Sequence, residues 1–109
     1  METLSKDADK VLGSLYKKYL ERREAGMGKA DAKEFGSSKS TLELLGLTMT
    51  LDDLDETLRE LNRAKWVGNL YADDTIMRTV LTDAVIIHME NRFKNGLRDV
   101  LEFLTKFIP

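Results

Sequence analysis

Between Leu51 and Met89 the apolar positions switch from helical spacing to strand spacing and back, and each switch coincides with a stop signal. Leu51, Leu54, Leu58 and Leu61 fall on one stripe of a helix and are expected to be buried together. Trp66-Val67 then opens a β-prone run, Ala72-Asp73-Asp74-Thr75 supplies a turn, and the β-branched-rich segment Ile76 to Leu81 reads as the returning strand. Thr82-Asp83 is placed to cap a further helix. The predicted order is helix, two-stranded hairpin, helix.

Upstream, Leu4, Ala8, Val11, Leu15 and Tyr19 form a stripe widened by Leu12 and Leu20, which predicts a helix over Ser5 to Ala25 ended by Gly26-Met27-Gly28. From Lys29 to Lys39 the signal is weak and reads as loop, with at most a helical turn or two over Ala30 to Phe35 before Gly36-Ser37-Ser38 breaks it. Two capping boxes follow, Ser40-x-x-Glu43 and Thr50-x-x-Asp53, in each of which a hydroxyl can satisfy an orphan amide at a helix start. Gly46 is placed to close the first of these helices in a left-handed conformation, and Leu47-Thr48-Met49 suits the turn between paired helices. Downstream, helices are predicted over Asp83 to Lys94, stopped by Asn95-Gly96, and from Leu97 to the chain end. The last carries Leu97, Val100, Leu101, Leu104, Phe107 and Ile108 on one face. The competing pattern is an all-helical bundle with an irregular stretch from Val67 to Leu81.

With 109 residues, one domain with one core is expected, burying about two-thirds of the surface that the unfolded chain exposes. Apolar residues make up 42% and charged residues 33%, and the single proline is the last residue, so the chain is expected to fold throughout. The absence of cysteine excludes disulfides, thiolate metal sites and thiol nucleophiles, and suits a reducing, cytoplasmic setting. No apolar run approaches the ~20 residues of a membrane span, and Met1 to Lys10 is too polar for a signal-peptide core. His88 is the only histidine, so paired-histidine chemistry is excluded and a packed structural histidine is expected. Asp52-Asp53 and Asp73-Asp74 lack the spacing of a calcium loop, and no glycine precedes a phosphate-cradling Lys-Ser or Lys-Thr. Neither an enzyme, a cofactor nor a metal is therefore expected. Met27, Met49, Met77 and Met89 read as core or near-core fillers.

The segment Leu81-Thr82-Asp83-Ala84-Val85-Ile86-Ile87-His88-Met89-Glu90 is similar to the part that follows the hairpin in small bacterial and phage winged helix-turn-helix proteins, where a Leu-Thr pair leaves the second strand and caps the next helix. Leu54 to Val67 likewise resembles their recognition helix running into an aromatic-aliphatic strand. The resemblance spans about residues 40 to 94, and Val85 stands where many relatives have glycine. It implies a mainly α fold with a two-stranded β-hairpin, a winged helix-turn-helix with additional N- and C-terminal helices. The helix-turn-helix would lie at about 40–65, the wing at about 66–81 and the C-terminal helices at about 83–108. It also implies double-stranded DNA as partner, with the second helix of the pair in the major groove, and a regulatory role. Arg59, Asn62, Arg63 and Lys65 are chemically suited to bases or phosphates, and Arg78 is the only cation in the ribbon.

The charges oppose that use. The formal net charge is -2, and the first turns of the supposed recognition helix carry Asp52, Asp53, Asp55 and Glu56, with Asp73 and Asp74 at the tip of the hairpin. Carboxylates in a first turn also suit the helix dipole, and Asp55 stands i,i+4 from Arg59. Cations gather instead at Lys17, Lys18, Arg22, Arg23, Lys29, Lys33 and Lys39, among Glu21, Glu24 and Asp31, and at Arg92, Lys94 and Arg98. Two functions follow: a homodimeric DNA-binding regulator, paired through the last helix with help from the first, or a protein interaction module in which Asp52, Glu56, Asp73 and Asp74 meet a basic partner.

Overall fold

A computed structural model describes residues 4–108. The chain is mainly helical with a small three-stranded antiparallel sheet. Its elements are α1 (Lys6–Glu24), α2 (Lys29–Ala32), β1 (Glu34–Phe35), α3 (Ser38–Leu45), α4 (Leu51–Arg63), β2 (Val67–Ala72), β3 (Thr75–Leu81), α5 (Asp83–Arg92) and α6 (Leu97–Leu104), with a 3-10 turn at Thr105–Phe107. No helix among the described residues is long and apolar enough to cross a membrane.

The helix ends follow capping chemistry. Ser5, Thr50 and Thr82 accept hydrogen bonds from the amides of Ala8, Asp53 and Val85, at the starts of α1, α4 and α5. α1 closes with Gly26 at φ 94, where Gly26 N donates to Arg23 O and Met27 N to Arg22 O. The same paired bonds end α4, Lys65 N to Asn62 O and Trp66 N to Leu61 O, but there the left-handed position at φ 65 is held by Lys65. For a lysine that conformation costs about 1–2 kcal/mol, and the burial of Trp66 beside Leu61 offsets it.

The hairpin is as the alternation predicts, and the all-helical alternative fails. Asp73 and Asp74 both have positive φ, the geometry of a two-residue turn whose twist matches the flanking strands. The register pairs Val67 with Leu81 and Leu70 with Arg78, then shifts so that Tyr71 faces Ile76, leaving Met77 as the extra residue of a bulge. That shift turns Ile76 into the core and Met77 out to solvent.

Five expectations need correction. The sheet has three strands, because Glu34 and Phe35 pair with Val80 and Thr79 on the other side of β3, in order β1-β3-β2. Phe35 is buried there, and Arg22 donates to the carbonyls of Ala32 and Glu34 while lying over the Phe35 ring. Second, α3 begins at Ser38, capped by the Ser37 hydroxyl; Ser40 is the donor to that cap and not the cap itself. Third, Leu51, the first residue of α4, is 41% exposed, while Leu54, Leu58 and Leu61 are fully buried. Fourth, α5 ends at Arg92, and Phe93 turns inward onto Tyr16 and Phe103. Fifth, Met27 and Met77 are exposed, whereas Met89 is core as expected.

The three buried leucines of α4 meet Val11, Leu12 and Leu15 of α1 and Val85, Ile86 and Met89 of α5 in one core. An aromatic row, Tyr19, Tyr16, Phe93, Phe103 and Phe107, joins α1 to α6 with successive centroids 5.4–6.2 Å apart. Burial, then the nearby Glu90 charge and Tyr19, push the Tyr16 hydroxyl up to about 12. α6 reaches α1 closely at Gly13, where a Cβ would stand 3.0 Å from the Phe103 ring. Gly13→Val is therefore expected to destabilise the fold by about 1–3 kcal/mol in urea unfolding.

Candidate functional site

The exposed end of α4 and the tip of the hairpin form one continuous surface, because polar ties hold the two elements together. Asn69 is the central tie. Its backbone N–H donates to Asn62 Oδ1 at 3.0 Å, its Nδ2 donates to Leu58 O at 3.1 Å, and its Oδ1 accepts from the buried Thr79 hydroxyl at 2.8 Å. Its Nδ2 also donates to the Tyr71 hydroxyl at 3.2 Å, so this half-buried side chain is bonded to α4, to β3 and to its own strand, which makes the junction rigid. Nearer the tip, Arg59 Nε donates to Asp55 Oδ2 at 2.8 Å and Arg59 Nη2 to Asp74 O at 2.6 Å, with the guanidinium 5.2 Å from the Tyr71 ring centre.

Asp55 extends this tie to α3 by accepting from the Ser38 hydroxyl at 2.7 Å. Burial alone would push the Asp55 carboxyl up, but the hydrogen bonds from Arg59 and Ser38 and the Arg59 charge outweigh it and hold it below the usual carboxylate range. Ser38, Asp55, Arg59 and Asp74 thus form a chain running from α3 through α4 to the hairpin turn. The i,i+4 spacing announced its middle link; Ser38, Asn69 and Tyr71 carried no signal in sequence, since the α4 partners that tie them lie 7 to 17 residues away.

The residues suited to nucleic acid are placed unequally. Arg59 and Asn62 are half-buried and engaged in the α4–hairpin junction. Arg63 and Lys65 are exposed at the far end of α4, Arg63 loosely paired with Glu56 at 3.2 Å. Arg78 lies on the outer face of the sheet beside exposed Leu70 and Met77, paired with Glu34 at 3.4 Å. The exposed part of α4 otherwise presents Asp52, Asp53 and Glu56, and the turn presents Asp73. Glu60 is engaged elsewhere, accepting from the amide and hydroxyl of Ser5.

The other cationic groups are partly fasteners. Arg22 holds β1, and Lys33 pairs with Asp83 at 2.9 Å. Arg92 makes two hydrogen bonds to the Asp9 carboxylate and lies over Phe93 and Phe103. Among the described residues no three potential metal ligands gather. Compared with protein-family profiles, curated proteins and solved structures, the chain matches none.

Lys65→Gly should relieve the left-handed lysine and raise stability by about 1 kcal/mol in urea unfolding. His88, half-buried with its ring 5.1 Å from Trp66, titrates below its ordinary value of 6.5, chiefly through burial and then through Arg92, with Asp9 opposing. The folded protein then holds fewer protons than the unfolded chain just below that value, so stability is complete above about pH 6.5 and falls as the pH drops. The melting temperature should decline between about pH 7 and pH 5.5, and His88→Phe should flatten that slope.

Proposed function

We propose that the chain is a winged helix-turn-helix domain that recognises a protein through the acidic face formed by α4 and the hairpin tip. The element order supports the scaffold: α1, a short strand, the α3–α4 pair joined at Gly46, then a hairpin whose second strand takes the central place in a β1-β3-β2 sheet. α4 is the recognition helix on this reading and β2–β3 the wing. A shared scaffold carries no function by itself, so the partner has to be argued from the exposed groups.

One observation carries the choice. Arg59, the cation best placed to reach past the wing, is held by Asp55, by the Asp74 carbonyl and by Tyr71, while Asp52, Asp53, Glu56 and Asp73 stay exposed around it. Among these only Glu56 is paired, with Arg63, so a helix with that face would bring the carboxylates of Asp52, Asp53 and Asp73 uncompensated against phosphates, whereas a basic protein surface would pair with them. Leu51, about two-fifths exposed at the start of α4, adds the apolar contact that a protein interface uses at its centre.

A second reading, a dimeric DNA-binding regulator, is favoured by the exposure of Arg63, Lys65 and Arg78. Three phosphate contacts would give a salt slope of only about −3 in log affinity against log salt, far less than strong duplex binders show. The two readings separate in one pair of measurements. In a pull-down, the wild-type domain should retain a partner that is lost on Asp52→Lys, Glu56→Lys and Asp73→Asn together, with an unchanged melting curve. Duplex DNA at low salt should bind neither form. Low-salt duplex binding that weakens on Arg63→Ala and Lys65→Ala would replace this reading by the second, and capture that survives the charge changes would remove the acidic face as the site.

A further inference from the structure

On the side of α1 away from α5, a cleft of about 620 Å³ runs between α1, the end of α3 with its turn, and α6 with the following 3-10 turn. Its floor is aliphatic, with Leu44 and Leu47 on one side and Leu101, Leu104 and Ile108 on the other. Leu101 of α6 is 45% exposed and Ile108, just after the 3-10 turn, is 71% exposed. The α1 wall is built from Lys10, Ser14, Lys17, Lys18 and Glu21, which share one face of that helix by their spacing. The three lysines are half-buried, so their stems cover apolar surface while their ammonium groups stand at the rim. Lys18 is paired with Glu21 at 3.9 Å; among the described residues Lys10 and Lys17 have no carboxylate within ion-pair distance.

We infer that this cleft is a docking groove for an acidic amphipathic helix of a partner protein. The spacing argues for a helix. Lys10 and Lys17 are seven residues apart, about 10.5 Å along the α1 axis, and so match two carboxylates seven residues apart on a helix lying alongside. The wall from Lys10 to Glu21 is about 16 Å long, room for three turns. Apolar side chains one turn apart on the partner would fill the leucine floor, the usual mode of a helix in a groove. The charge argument fixes the sign of the partner's flank, since two cations line one rim of an apolar cleft in a chain of net charge -2.

The chain's own helices do not meet these requirements. The apolar stripe of α4 is buried apart from Leu51, and α6 forms part of the groove. α5 exposes Asp83 and Glu90, seven apart, but only Ile87 lies between them as a large apolar anchor, and Asp83 is already paired with Lys33.

The test uses the whole chain and a fluorescein-labelled synthetic peptide about four turns long, with a leucine stripe flanked by two glutamates seven residues apart. A control peptide has both glutamates replaced by lysine. Fluorescence anisotropy should show binding of the acidic peptide, weakened about tenfold by Lys10→Glu with Lys17→Glu and abolished by Leu101→Arg, with melting temperatures unchanged. Amide shifts on binding should map to α1, the α3–α4 turn and α6. The inference is overturned by absent binding, by equal binding of the lysine peptide, or by shifts centred elsewhere. Sedimentation that shows self-association covering the groove would assign it to a second copy and overturn it equally. So would saturable binding of dodecanoate in the cleft without binding of the peptide.

Discussion

The attachment of the hairpin to α4 through Asn69 is the constraint on which the remaining arrangement depends. A lone two-stranded ribbon is marginal in water, and here its inner face is closed by burying Val67, Ile76 and Leu81 and by pairing the buried Thr79 hydroxyl with Asn69. Asn69 satisfies a helix carbonyl, a strand hydroxyl and a side-chain amide at once. Because Asn62 on α4 accepts from its amide, the helix and the ribbon are fixed in rotation as well as in distance. The Ser38, Asp55, Arg59 and Asp74 chain repeats this logic closer to the surface and brings α3 into the same unit.

These ties decide which charges are free. Two α4 residues with good nucleic-acid chemistry, Arg59 and Asn62, face the hairpin and serve the fold, and the cations of the first helix divide similarly, with Arg22 holding β1 and Lys17 remaining unpaired among the described residues. The molecule thereby gains two surfaces of opposite character. One, at α4 and the hairpin tip, is acidic with a small apolar margin at Leu51; the other, along α1 and α6, is an apolar cleft rimmed by lysines. A net charge of -2 averages over them and describes neither.

Much of the architecture was legible in the sequence because it rests on local rules. Periodicity and capping residues placed α1, α4, α5, the two hairpin strands and the Asp73-Asp74 turn to within a residue or two, and Gly46 announced the end of α3. The candidate site was legible only as a set of charged residue types. The Asp55–Arg59 pair was visible because both partners lie on one helix face. The role of Asn69 was not, since nothing in a polar residue midway along a strand announces that a helix carbonyl will stand above it.

What the sequence determined by itself was therefore where the chain bends into helix or strand and which faces are apolar, since both follow from residues within a few positions of one another. The tertiary structure alone decided the third strand, the exposure of Leu51 and the sorting of charges into fasteners and free groups. β1 is two residues long and has no strand signal of its own; it exists because β3 offers an edge, Phe35 finds the core, and Arg22 holds the adjoining carbonyls. A charge becomes a fastener or remains available according to what stands within hydrogen-bond reach, and that distance is set by packing between segments far apart in the chain.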